Sequence, residues 1–217
     1  MNFEKARYNM VEQQIRTWTV LDNHVLDVME QLPREHFVPE KYKQMAYADL
    51  AIPLDHNQVM MPPKIEAHAL QALNIQPEDN ILEIGTGSGY LTALLATLGS
   101  HVDSVDIYSD FQKAAAEKLT SLAIDNVSMI EGDASQGWGK PKQYDAIVIT
   151  AALPELPEQY KQALAIGGRL FAVLGEGIVM QAVLVHRTHG DEWEQKSLFE
   201  TALPLLINSE KPQAFVF

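Results

Sequence analysis

Between Asn80 and Tyr90 the chain reads N-I-L-E-I-G-T-G-S-G-Y, and few folds accommodate that string. Ile81, Leu82 and Ile84 form a short apolar run, and Gly85, Gly87 and Gly89 follow at alternate positions. Leu91, Leu94, Leu95 and Leu98 then recur at helical spacing before Gly99 supplies a stop. The order is strand, glycine turn, helix. It puts bare backbone N–H groups and the positive end of a helix dipole at the carboxyl edge of a sheet. Glycine suits that turn because a Cβ would keep a ligand away from the backbone.

The spacing narrows the ligand. A dinucleotide fingerprint is G-x-G-x-x-G, whereas this turn is G-x-G-x-G. A Walker loop carries Lys after its last glycine, and here Tyr90 stands there. No basic side chain lies between Asn80 and Gly99, so a polyphosphate would lack a counter-charge. Glu83, inside the strand, suits a ligand with an ammonium group, such as the methionine end of S-adenosylmethionine.

The segments that follow repeat the logic. A strand from His101 to Ile107 ends in Asp106, about 20 residues past the first glycine, the spacing at which an acid reaches a ribose hydroxyl pair. A helix with Ser109 as N-cap turns Phe111, Ala115, Leu119 and Leu122 inward. Strands from Val127 to Glu131 and from Tyr144 to Ala151 end in Gly132-Asp133 and Thr150-Ala151-Ala152, and a fifth follows Gly167-Gly168. In an open α/β sheet the ligand sits outside those ends. Met180 to Thr188 and Trp193 to Phe199 alternate as a hairpin around Gly190-Asp191, an antiparallel edge on a mostly parallel sheet. From Pro204 the chain reads as coil, and its apolar ending A-F-V-F suits docking on the domain or on another subunit.

Upstream, residues 3 to 16 read as a helix with Phe3, Met10, Val11 and Ile15 on one side. A second helix starts after Asp22, turns Val25, Val28, Met29 and Leu32 inward and is closed by Pro33; a third runs from Lys64 to Leu73. With no strand–helix alternation, residues 1–75 are expected to cap the cofactor edge of the α/β core at 76–217, within one domain. Composition limits the partners. A net charge of −13 disfavours a nucleic-acid backbone, and the absence of cysteine removes disulfides and thiolate chemistry. The start M-N-F-E-K-A-R-Y lacks the apolar core of a signal peptide, and no apolar run reaches membrane-spanning length. The expectation is a soluble cytoplasmic protein, with no membrane partner and an oligomeric state left open.

L-E-I-G-T-G-S-G-Y, V-D, E-G-D-A, Y-D-A-I-V-I-T-A-A and G-G-R-L, in that order, resemble the motifs of class I S-adenosylmethionine-dependent methyltransferases. The fuller resemblance, from about residue 8 to about residue 205, is to the protein-L-isoaspartate O-methyltransferase family. It includes M-V-E-Q-Q-I-R (10–16), L-P-R-E-H-F-V-P (32–39), Y-A-D-L-A-I-P-L (47–54), T-A-A-L-P-E-L-P (150–157) and G-G-R-L-F-A-V-L-G (167–175). It implies a Rossmann-like α/β methyltransferase sandwich with a helical N-terminal part that carries substrate-binding elements. The cofactor set it implies is Glu83, Gly85, Thr86, Gly87, Ser88, Gly89 and Tyr90 from the turn, then Asp106, Ile107, Gly132, Asp133, Ala134 and Thr150. Glu83, Asp106 and Asp133 fall on separate strand ends and fit ammonium, ribose and adenine better than a metal, so none is expected.

One segment departs from the family. Asp55 to Pro63, D-H-N-Q-V-M-M-P-P, stands where the family resembles G-x-G-Q-T-I-S-x-P, whose Thr and Ser hydroxyls help to hold the substrate. Gln58 and Pro63 match; Asn57 replaces the second glycine, Val59 the Thr, Met60 the Ile and Met61 the Ser. An isoaspartyl carboxylate, with a pKa of about 3–4, is ionised at neutral pH and needs no general base. A phenol or amine acceptor would, and His56 is the nearest candidate; the plainer reading of His56 is a solvated loop residue. The leading expectation is isoaspartyl methylation of damaged protein or peptide, with Gln58, Val59, Met61 and His56 in the substrate loop. The alternatives are a small-molecule O-methyltransferase with an apolar acceptor site and a cofactor-binding relative without turnover.

Overall fold

The computed structural model describes residues 2–138 and 143–209. Helix α1 (Phe3–Met10) starts at Asn2, whose side chain accepts the N–H of Lys5, and runs into a π-helical turn at Val11–Ile15 and a 3-10 turn at Arg16–Trp18. The helix expected over 3 to 16 is therefore not uniform. The wider turn lets Met10, Val11 and Ile15 all enter the core. Helix α2 (Asn23–Gln31) is capped by Asp22 as the sequence predicts. Strands β1 (Ile52–Pro53) and β2 (Val59–Met60) form a separate antiparallel pair around the loop 54–58, and α3 (Pro63–Leu73) follows with proline at its first turn.

The core begins with β3 (Asn80–Ile84), α4 (Tyr90–Leu98), β4 (His101–Asp106), α5 (Ser109–Ser121) and β5 (Val127–Glu131). It continues with β6 (Tyr144–Leu153), α6 (Glu158–Gln162), β7 (Leu164–Leu174), β8 (Met180–His189) and β9 (Glu192–Thr201). The sheet order is β5-β4-β3-β6-β7-β8-β9. The first five strands are parallel, and the final hairpin is antiparallel. The order reverses at β3, so the carboxyl ends of β3, β4 and β6 meet at a switch point, where such sheets bind ligands.

Alternation along the strands divides the core. Ile81, Val102, Val148 and Phe171 pack with the N-terminal helices and α4, while Leu82, Ile84, Val105 and Ile147 pack with Tyr160 of α6. The N-terminal helices share the main apolar core, and Gln58 of the loop with Val59 and Met60 of β2 reach the ligand edge. Ser109 begins α5, but Tyr108 occupies the cap position; Asp106 Oδ1 accepts the Tyr108 N–H at 2.9 Å. The stretch expected as coil is built into the sheet edge. Ala152 N–H donates to the carbonyl of Pro204, and Leu206 N–H donates to that of Ala152, both at 2.8 Å. The ending A-F-V-F lies outside the described residues. Among those described, no helix is long and apolar enough to cross a membrane.

Candidate active site

The glycine turn is shaped by backbone that side chains would obstruct. Gly85 has φ +94°, and a Cβ there would lie 2.2 Å from Thr150 Oγ1. Gly89, at φ +85°, would meet Ala115 of α5 at 2.7 Å. Thr150 stands on β6 with its hydroxyl 3.0 Å from the Ile84 carbonyl and 2.9 Å from that of Gly85, which fixes the turn against the neighbouring strand. Asp106 closes it from the other side, its Oδ2 accepting the Gly87 N–H at 2.9 Å. Burial pushes the Asp106 carboxyl up, against the pull of those backbone N–H groups.

Two cavities open from this turn. The larger is bordered by Gln58, Val59, Gly85, Gly87, Asp106, Ile107, Gly132, Asp133, Ala134 and Thr150. Its further walls are Tyr108 and Phe111 beside β4 and Pro204, Leu206 and Ile207 of the C-terminal segment. Asp133 is held below the usual carboxylate range by the Ser135 N–H and by the Asn208 amide, which donates at 2.8 Å. The smaller cavity is bordered by Val59, Met60, Met61, Glu66 and Leu91 on one side and by Glu83, Gly85, Thr86, Gly87, Ser88 and Thr150 on the other.

Glu83 is the floor of the smaller cavity and is fully buried. Its Oε2 accepts the hydroxyls of Thr92 at 2.5 Å and Ser104 at 2.6 Å; its Oε1 has no hydrogen-bond partner among the described residues. Thr86 Oγ1 lies 2.6 Å from Ser104 Oγ and accepts the Gln112 amide at 2.8 Å. Since the Ser104 proton goes to Glu83, Thr86 donates to Ser104, and the polar chain points toward the carboxyl. Burial raises the Glu83 pKa to about 8. An unpartnered carboxyl oxygen at this depth fits a ligand's ammonium group, whose positive charge favours the ionised form.

The segment 55–61, read from the sequence as the loop for the methyl acceptor, is held by a buried guanidinium. Arg34 lies over the Tyr90 ring at 4.7 Å, pairs with Glu66, and donates to the carbonyls of Met61 at 2.6 Å and Ala46 at 2.9 Å. Asn57 has φ +56°, so the loop keeps a glycine-type turn that asparagine tolerates. Of the residues singled out in the sequence, Gly89, Tyr90 and His56 border neither cavity. Gly89 packs against α5, Tyr90 is buried beside Phe37 and Arg34, and the His56 ring rests on Tyr108. Ser88 offers its carbonyl to Lys118 at 3.2 Å. The sequence reading missed Tyr108, Phe111, Glu66 and the 204–207 wall. Glu66 alone left a signal, a carboxyl amid the buried positions Ile65, Ala67, Ala69 and Leu70 of α3.

A glycine turn at the switch point, Asp106 and Asp133 at the carboxyl ends of β4 and β5, and an antiparallel hairpin at one edge together define a Rossmann-like α/β methyltransferase. A family model described as Protein-L-isoaspartate(D-aspartate) O-methyltransferase (PCMT) matches residues 5–210, and the chain belongs to that family. The protein-L-isoaspartate O-methyltransferase 1 of Rhodopseudomonas palustris (strain HaA2) is 38% identical over 210 residues, 96% of this chain and 86% of the relative. The corresponding Gloeobacter violaceus enzyme is 39% identical over 205 residues, covering 94% and 99%. In fold, the chain is similar to a Plasmodium falciparum protein described as a protein-L-isoaspartate O-methyltransferase, crystallised with S-adenosyl-L-homocysteine. That match has a TM-score of 0.81 at 22% identity and covers 94% of this chain and 99% of that one.

Proposed function

We propose that this chain methylates the carboxylate of isoaspartyl residues in damaged proteins, with S-adenosylmethionine as donor. The observation that carries the reading is the wall shared by the two cavities, made of Val59, Gly85, Gly87 and Thr150. A nucleoside in the larger cavity and an amino-acid end in the smaller would join across that wall, directly beside the acceptor loop. Asp106 would hold the ribose hydroxyls, Ile107, Ala134 and Leu206 the adenine faces, and Glu83 Oε1 the ammonium group. Thr86, Ser88 and Gly89 would support that cradle through backbone and hydroxyl positions, and Tyr90 from beneath it.

S-adenosylmethionine supplies a methyl group on a positively charged sulfur, a leaving group that needs no proton. The acceptor carboxylate is ionised at neutral pH, so no base is required of the protein. What remains is alignment and the exclusion of water. Buried Met60 and Met61, with Val59 and Leu91, give the smaller cavity apolar walls, and Arg34 fixes the height of position 61 through its carbonyl. Transfer of labelled methyl to an isoaspartyl peptide, and not to its aspartyl twin, tests the reading. Equal labelling of both peptides, or of neither, overturns it.

Val59 and Met61 favour a second reading, because both are apolar where the resemblance places hydroxyls. An acceptor with an apolar body would suit those walls. Methyl transfer to a phenolic or small carboxylic acceptor, with the isoaspartyl peptide inert, would decide for it.

A further inference from the structure

The acceptor loop is fastened to the cofactor side of the sheet through His56. Its ring lies flat on Tyr108, with centroids 4.0 Å apart and planes inclined by 4°, and meets Phe111 edge-on at 5.4 Å. Its Nε2 is 2.8 Å from Oδ2 of Asp110, in the first turn of α5. An ionised carboxylate only accepts, so Nε2 carries the proton in this bond. Tyr108 and Phe111 both border the larger cavity, as do Gln58 and Val59 on the loop side.

The loop is a closed unit in itself. Leu54 N–H donates to the Gln58 carbonyl at 2.9 Å, and the Gln58 amide donates to the His56 carbonyl at 3.0 Å. His56 and Asn57 both take left-handed backbone, at φ +54° and +56°. This conformation turns the His56 ring out of the loop and onto α5.

We propose that His56, Tyr108 and Asp110 form a clasp that holds the acceptor loop across the cofactor cavity, which makes His56 a positioning residue and not a base. The clasp rests on the reading that the larger cavity takes the nucleoside of S-adenosylmethionine. Gln58 on the loop and Tyr108 beside α5 both border that cavity, so a clasp between the two elements opens to load the ligand and closes to present Val59 and Met61 to the acceptor. The His56 and Asp110 side chains are 38% and 59% exposed, and a contact between side chains that exposed holds weakly enough to open at each turnover. A base, by contrast, needs a nitrogen available at the acceptor. His56 borders neither cavity, and its Nε2 is engaged by Asp110.

The test uses the full chain, with S-adenosylhomocysteine association and dissociation followed by surface plasmon resonance. The variants are His56→Asn, Asp110→Asn and both together. Asparagine keeps the left-handed backbone and removes the ring. For His56→Asn both rate constants should rise about three- to tenfold, as for the loss of one ring stack and one exposed pair. Asp110→Asn should give a smaller rise, and the double variant no more than His56→Asn alone. In methyl transfer, KM for the isoaspartyl peptide should rise while kcat is kept. Wild-type rates in both single variants, with melting temperature unchanged, overturn the clasp. A fall in kcat with cofactor rates unchanged overturns it in favour of a base. Failure of the wild type to bind S-adenosylhomocysteine defeats the cofactor reading itself and the clasp with it.

Discussion

Met61 presents a thioether to the smaller cavity where a hydroxyl would offer a donor to a carboxylate. A hydrogen bond to a charged group contributes about 1.5–3 kcal/mol, or roughly 10- to 100-fold in rate or affinity. Because Asn57 already holds the glycine-type turn, Met61→Ser with Val59→Thr should raise kcat/KM on an isoaspartyl peptide by about tenfold or more. Steady-state kinetics on wild type and double variant check it; an unchanged value would mean that the loop was shaped for another acceptor. Glu83 makes a separate prediction. Its carboxyl rises from 4.5 to about 8 on burial, against the lowering effect of the Ser104 and Thr92 hydroxyls. A carboxyl raised in the folded state stabilises most below its unfolded pKa, and that contribution is lost as pH climbs through the folded value. The contribution in the ligand-free protein therefore fades between pH 4.5 and about 8. Glu83→Gln does not titrate, so the stability difference between wild type and variant should shrink from pH 5 to pH 8 in urea unfolding. A constant difference would show that the carboxyl is ionised throughout.

The strand–turn–helix unit at 80–98 carries the cleanest mutational consequence. Gly85→Ala would force a side chain to φ +94° and against Thr150 Oγ1. It should cost about 1–3 kcal/mol of stability and weaken S-adenosylhomocysteine binding at least tenfold, read by urea unfolding and calorimetry. Near-normal binding would show that the turn can shift without disturbing the cradle. This unit was legible in the sequence because each part leaves a local mark: apolar run, alternate glycines, four leucines at helical spacing. The strand-end acids were legible for the same reason. Other elements leave no such mark. The π-helical turn at Val11–Ile15 differs from an α-helix by one residue in the span of its hydrogen bonds, which the apolar pattern barely registers. The segment from Pro204 to Leu206 joins the sheet through single backbone hydrogen bonds to Ala152, and such bonds impose no side-chain alternation. Phe111 reads only as an inward helix residue and Tyr108 carries no pattern of its own, because their place at the cavity depends on where the loop before Val59 returns in space.

At the scale of the whole molecule, the cavity is assembled from segments on both sides of the α/β core in the chain. Loop residues 58–59 supply one wall, and Pro204, Leu206 and Ile207 supply another. A chain ending after Thr201 keeps every strand of the seven-stranded sheet. It loses the Pro204 and Leu206 bonds to Ala152 and the Asn208 bond to Asp133. It should still fold, with S-adenosylhomocysteine affinity reduced about tenfold or more, as expected when apolar ligand burial and a hydrogen bond are lost together. Calorimetry beside circular dichroism checks both halves, and full affinity would remove the C-terminal segment from the site. Arg34 joins distant parts in a different way. From one buried position it reaches the 40–46 connection, the acceptor loop, α3 and α4, and it grips the loop by a peptide carbonyl and not by a side chain. Every amino acid offers that same carbonyl. Position 61 is therefore a socket whose alignment survives a change of bit: a lineage can trade serine for methionine, and with it one acceptor for another, without rebuilding the mount.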